Sequence, residues 1–311
     1  MHSALDKQIQ SSTPDGYVVG NADELAQARY RYLSALYDAQ TIRHLKRRGV
    51  DRGWTCLEVG GGGGSIASWL CERVGDLGGV LATDIEPRFL HALPYRNLGI
   101  RCHDIRTEDL PEHQFDLAHA RLVLLHLPER DLALQRMIKS VKPGGWIVIE
   151  EFDDLSILPD SSINPGEEEL QLRRAFQHVL NARGVELRYG RLLPQKLRAH
   201  GLVNVEAEAT VSVWKGHSTG TRLLKLNCYE LRGPILDSGF ISQAEFDAEM
   251  KRVDERDFLM PSPMMWTVWG QVPEKKKAST QGQPNGLVKE AIPLSRKARP
   301  ERWADLAELV E

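Results

Sequence analysis

The sequence predicts a doubly wound α/β layer, and three observations carry that expectation. Between Trp54 and Glu150, short apolar runs alternate with helical stretches, the pattern of a parallel sheet covered on both faces. Five consecutive glycines, Gly60 to Gly64, stand where the first of those runs meets the helix after it. The length, 311 residues, suffices for one large domain or two small ones, with a core that needs no disulfide or metal staple.

Residues 1–21 are polar and turn-rich. Ala22 to Arg48 reads as a helix from its three- and four-residue apolar spacing, with Asn21 as N-cap and a basic last turn stopped by Gly49. Strands are expected at Thr55–Val59, Val80–Asp84, Ile100–His103, Phe115–Ala120 and Trp146–Glu151. Helices are expected between them at Ser65–Val74, Pro87–Leu98 and Glu129–Val141, and right-handed crossovers then leave the doubly wound layer as the economical arrangement. Beyond Glu151 come a loop, helices over Glu167–Arg183 and Leu192–His200, and an alternating strand over Val203–Trp214. A mostly helical stretch over 221–258, broken at Gly233-Pro234, precedes a last strand at Met264–Val272. Helical material between two late strands of one sheet would cap its edge. The organisation is thus an N-terminal helical segment (1–50), an α/β core (51–151), the rest of the sheet with a helical cap (152–272), and a tail (273–311). The tail reads as a Pro/Gly/Lys-rich linker ahead of a short helix with Trp303, Leu306 and Val310 on one face.

Forty Lys plus Arg against 43 Asp plus Glu leave a net charge of −3, which gives no electrostatic reason to expect nucleic acid as partner. No stretch approaches the ~20 apolar residues of a membrane helix, and Met1 to Lys7 carries no apolar signal core. A cytoplasmic address is expected, and a homodimer is left open. Cys56, Cys71, Cys102 and Cys228 form no C-x-x-C pair and read as reduced core residues. No bound metal is expected.

The glycine run carries the chemistry. Without Cβ atoms the chain can turn tightly and approach a ligand closely, with N–H groups aimed from a helix N-terminus. The register Gly62-x-Gly64-x-x-Ala67, with Asp84 22 residues beyond Gly62, satisfies a dinucleotide pattern. Three features favour a different ligand. Glu58 precedes the loop, and a carboxylate would repel a pyrophosphate but hold a cationic amino-acid moiety. Asp104-Ile105 follows the third strand, offering an acceptor for an exocyclic amine and an apolar contact for a ring. Lys142-Pro143-Gly144-Gly145 is a turn leading into an apolar strand.

With these residues the stretch from about Tyr17 to Val272 resembles the class I S-adenosylmethionine-dependent methyltransferases of small-molecule type. The resemblance implies a seven-stranded, mostly parallel Rossmann-like sheet whose last strand, Met264–Val272, is antiparallel. It implies S-adenosyl-L-methionine as cofactor, with the methionine end on Glu58, Gly60, Gly62 and Gly64 and the ribose hydroxyls on Asp84. Asp104 and Ile105 match the adenine-binding pair. Arg121 matches a cofactor contact after the fourth strand, and Tyr17 an N-terminal tyrosine near the cofactor carboxylate. Glu58 stands where the family more often has aspartate. The expected activity is methyl transfer to an O, N or C nucleophile of a small organic molecule, in secondary metabolism.

A hydroxyl acceptor would benefit from a general base. Among the histidines, His126, after the fourth strand, and His217, after a late strand, are the candidates for that role. No Asn/Asp-Pro-Pro-Tyr segment follows the fourth strand, and no cysteine stands where a pyrimidine-attacking nucleophile belongs, so a small acceptor is favoured. The alternatives are an NAD-dependent oxidoreductase, for which no Tyr-x-x-x-Lys pair is present, a non-catalytic cofactor-binding module, and a methyltransferase for macromolecules.

Overall fold

The computed structural model describes residues 19–156 and 167–274. Tyr17, and the expected linker and terminal helix from residue 275 on, lie outside the described residues.

The strands are β1 (Thr55–Val59), β2 (Gly79–Asp84), β3 (Leu98–Cys102), β4 (Phe115–Arg121), β5 (Val141–Asp153), β6 (Val203–Thr210), β7 (Val213–Lys215), β8 (Leu259–Pro261) and β9 (Met264–Gln271). The helices among the described residues are α1 (Val19–Arg47), α2 (Ser65–Val74), α3 (Arg130–Ser140), α4 (Glu167–Ala182), α5 (Tyr189–Ala199), α6 (Thr219–Glu230), α7 (Arg232–Asp237) and α8 (Gln243–Arg252). Seven strands form one sheet in the order β3-β2-β1-β4-β5-β9-β6. β9 alone in it runs antiparallel to its neighbours β5 and β6, as the family resemblance implies. β7 and β8 pair separately.

Alternation along the strands divides the core. Ile147 and Ile149 of β5 pack with Leu134 and Met137 of α3 and Leu193 and Leu197 of α5. Val148 and its cross-strand partner Trp269 face the opposite side, against Leu45 of α1 and Ile66 and Leu70 of α2. A separate apolar cluster unites Ala175 of α4, Ile235 of α7 and Phe246 of α8 into a cap. Among the described residues no helix is long and apolar enough to cross a membrane.

Several boundaries differ from expectation for identifiable reasons. α1 starts at Val19, so Asn21 lies within the helix and is not its cap. Its other end is as read: Gly49 (φ +87°) donates to Lys46 and Val50 donates to Leu45, the paired bonds that close a helix on a left-handed glycine. The segment Pro87–Leu98 makes only a 3-10 turn over Pro87–Ala92. Pro94 follows immediately, and it holds Leu93 extended (ψ 134°). The run Val203–Trp214 is two strands in two sheets, because the chain crosses at Ser212, whose carbonyl accepts from the Ser262 N–H at 2.7 Å. β6 is an edge strand and mostly exposed, with a register shift near Asn204 (φ +52°). Cys56, Cys71 and Cys228 are buried as expected, but Cys102 is exposed because it ends the other edge strand, β3.

Candidate active site

The strand order reverses between β1 and β4, and ligands of open α/β sheets sit in the crevice that such a reversal leaves at the carboxyl ends. The glycine run occupies that point. Gly60, Gly62 and Gly64 have φ of +70°, +50° and +80°, a region that side chains disfavour. Gly60 and Gly61 both donate to the Thr83 carbonyl of β2, at 2.8 and 3.0 Å. Asp84, at the end of β2, clasps the loop: one carboxylate oxygen accepts from Gly62 N–H and the other from Glu86 N–H, both at 2.9 Å. α2 then begins at Ser65 with Gly64 as N-cap and no side-chain cap, so its first N–H groups point into the crevice unclaimed by a cap side chain.

Beneath the loop, on the α1/α2 face, lies a polar network built from four strands and one helix. Glu58 of β1 and His119 of β4 are register neighbours, and His119 Nδ1 lies 2.6 Å from Glu58 Oε2. The other ring nitrogen faces Glu150 of β5 at 3.5 Å. Glu150 also accepts from Thr267 of β9 at 2.6 Å and from Thr41 of α1. Burial disfavours a charge on His119, but the flanking Glu58 and Glu150 outweigh it and push the imidazole up to about 9. Glu150 is held down at about 2 despite its burial, by His119 first and then by Arg121 and Thr267. Arg121 donates to Asp38 at 2.8 Å and to Thr41 at 2.9 Å, tying β4 to α1.

Beside the crevice, between the sheet's carboxyl edge and the cap, is a cavity of about 600 Å³. Tyr30 of α1 forms part of its wall and also packs on the glycine loop, where a Cβ on Gly62 would stand 2.7 Å from Cε1 of its ring. Tyr30 stacks edge-to-face on Phe89, with centroids 5.4 Å apart. Leu122, Leu125 and His126, from the segment after β4, form another part of the wall.

The profile of a family described as a methyltransferase domain matches residues 57–149, which hold the loop, Asp84 and β4. Residues 57–149 thus form a methyltransferase domain, similar to the class I S-adenosylmethionine-dependent methyltransferases. Methyltransferase str2 of the fungus Strobilurus tenacellus is 35% identical over 101 residues, 31% of this chain and 35% of that protein. Methyltransferase str3 of the same fungus is 33% identical over 110 residues, 35% of this chain and 39% of that protein. The chain thus spans little more than a third of the length of these curated relatives. A crystal structure of a candidate methyltransferase from Bacillus halodurans shares the fold, with a TM-score of 0.50 and 14% identity over 74% of this chain and 98% of that one.

S-adenosylmethionine is the cofactor of this family, and the residues present fit it. The methyltransferase domain offers a glycine backbone cradle in which a Cβ on Gly60, Gly62 or Gly64 would collide with Val123, Tyr30 or Leu93, and Asp84's two oxygens each keep a lone pair beyond the backbone bond they already accept. Other expected site residues are placed less simply. Glu58 is 4% exposed and faces His119 inside the sheet. The Asp104 carboxylate is bound by the Arg106 guanidinium and backbone N–H, which hold it down at about 2. Ile105 is 5% exposed and packs in the sheet core with Leu110 and Leu134. Arg121 is engaged by α1. His126 lies on the cavity wall, whereas His217 is an exposed turn residue (φ +60°) between β7 and α6 and does not line the cavity.

Sequence reasoning missed Tyr30, Asp38, Thr41, Glu150 and Glu151. Two acids in succession at the end of an apolar strand, Glu150-Glu151, were the available signal, since buried carboxylates persist only where partners meet them.

Proposed function

We propose that the protein moves a methyl group from S-adenosylmethionine to a nucleophile of a small organic molecule. The single observation that carries this reading is the left-handed glycine loop clasped by Asp84, with Tyr30 packed between that loop and a neighbouring cavity. Its place in secondary metabolism, and the open choice among O, N and C acceptors, rest on the family resemblance. When bound, S-adenosylmethionine supplies a sulfonium methyl with a leaving group that needs no acid. The chain's contribution is then to hold acceptor and methyl carbon close and collinear.

In this reading the backbone of Gly60, Gly62 and Gly64 receives the aminoacyl end, Asp84 accepts from the ribose hydroxyls, and Asp104 with Ile105 borders the adenine. Glu58 acts through its position in the network under the loop, and Arg121 by fixing α1 over the crevice. His126 is the candidate base. Partial desolvation beside the cavity, then the charge of Arg29, lowers its imidazole from the ordinary value, which favours the neutral form that can take a proton. Tyr30, between loop and cavity, orients donor and acceptor toward one another.

Calorimetry with S-adenosylmethionine and with NAD tests the reading. The expected result is saturable binding of the first alone, lost in Gly62→Val, whose branched side chain meets both an unfavourable φ and the Tyr30 ring. Binding of NAD in preference, or unaltered binding by the variant, would remove the loop from the site.

A further inference from the structure

We infer that the acceptor is an uncharged aromatic molecule with an apolar extension and one ionisable hydroxyl, in short a substituted phenol. This inference rests on the methyltransferase reading above. A cavity of about 600 Å³ is of the size that encloses a ligand of some tens of atoms, far more room than a small polar amine needs. The cap contributes Phe176, Trp214 and Phe258 to its wall, and the sheet side contributes Tyr30, Leu122 and Phe152. Aromatic side chains contributed from both sides of the cavity suit an aromatic guest.

Charged residues at the wall are of both signs, Arg29, Arg173 and Arg183 against Asp154, Glu230 and Glu249, with Arg183 exposed to solvent, so they set no net charge for a guest. Arg29 is ion-paired with Glu230, Glu249 is bound by Arg252 at 3.0 Å, and Asp154 accepts from Gln177 at 2.8 Å. A phosphate or ammonium group placed there would compete with these pairs while losing its water. His126, on the segment after β4, faces the same space and is suited to receive a hydroxyl proton. The step then balances. The phenol oxygen bonds to the methyl carbon, the carbon–sulfur bond breaks with its electron pair left on sulfur, and the phenolic proton passes to His126.

The test uses the full chain with S-adenosylhomocysteine and a ladder of 4-alkylphenols from methyl to octyl, read by calorimetry, with phosphoethanolamine as the charged control. Dissociation constants should fall about fourfold per added methylene, the equivalent of ~0.8 kcal/mol for each buried CH₂, until the cavity is full. Leu224→Trp should shorten the longest chain accepted and Met260→Ala lengthen it, with cofactor affinity unchanged in both. With tritiated S-adenosylmethionine, label should appear on the phenol oxygen, and His126→Asn should slow transfer while leaving phenol binding within about twofold. Normal cofactor binding with no dependence on chain length, or preferential binding of phosphoethanolamine, would overturn the apolar acceptor. Tight phenol binding without methylation would overturn the hydroxyl assignment. Failure to bind S-adenosylmethionine at all would instead overturn the methyltransferase reading.

Discussion

His119 sits between two carboxylates in the middle of a sheet, with no exposure to solvent. Its imidazolium is worth keeping only because Glu58 and Glu150 are both there; neutralise it and two buried anions face one another. The imidazole is raised to about 9 in the folded chain, above its ordinary ~6.5 when unfolded. Its contribution is therefore complete below about pH 6.5 and is lost as pH rises through about 9. Glu150, held at about 2, contributes above its unfolded value of about 4.5 and loses that only in strong acid. We expect His119→Asn to cost roughly 3–5 kcal/mol near pH 6 and to flatten the alkaline fall in melting temperature between pH 6.5 and 9. Thermal melts of both proteins across that range provide the check; parallel curves would mean that His119 is neutral when folded. The sequence placed Glu58 and His119 on their strands, but it could not show that they pair. Their partner Glu150 is 31 residues beyond His119, and only the strand order brings the three together.

The segment after β4 depends on β5 in a comparable way. Leu122, a non-glycine residue, is held at φ +56°, a conformation that persists only when neighbours enforce it. The restraint comes from β5: Leu122 N–H donates to the Glu150 carbonyl at 2.8 Å, and Glu151, fully buried on the α3/α5 face, has one oxygen that accepts from Leu124 at 2.7 Å and from Val123 at 3.2 Å. Its second oxygen has no hydrogen-bond partner among the described residues. Burial, opposed by those backbone N–H groups, pushes the carboxyl up to about 8. The sign is the reverse of the usual acid: the unfolded chain ionises near ~4.5, so stability declines from there to about pH 8. Glu151→Gln should remove that decline, leaving stability near the parent's at pH 5 and above it at pH 8. Denaturant titrations at the two pH values measure it, and an equal difference at both would show that Glu151 is ionised throughout. Such local restraints are invisible in a linear reading, which sees two acids ending a strand. The same limit made Pro87–Leu98 look helical, since apolar spacing says nothing of the turn that Pro94 imposes.

At the scale of the molecule, the parallel sheet was legible because its strands are apolar nearly throughout and its glycine loop has one natural place. The acceptor cavity was not, because its wall comes from α1, the segment after β4, α4, α6 and the approach to β8, elements far apart in the chain whose side chains meet only after the cap has packed. That division has an energetic consequence. The cap has its own apolar cluster, centred on Phe246, which is fully buried and packs edge-to-face on Tyr229 with centroids 5.8 Å apart. The glycine loop and Asp84 are instead carried by β1, β2 and α2. Phe246→Ala should therefore cost roughly 3–5 kcal/mol within the cap and loosen the cavity wall, while the crevice keeps its shape. The expected outcome is S-adenosylmethionine affinity within about twofold of the parent, with acceptor binding weakened at least tenfold, equivalent to ~1.4 kcal/mol of that loss reaching the wall. Calorimetry with each ligand separates the two effects. If cofactor affinity fell in step with acceptor binding, cap and sheet would be one cooperative unit, and the cavity could not be tuned independently of the methyl donor.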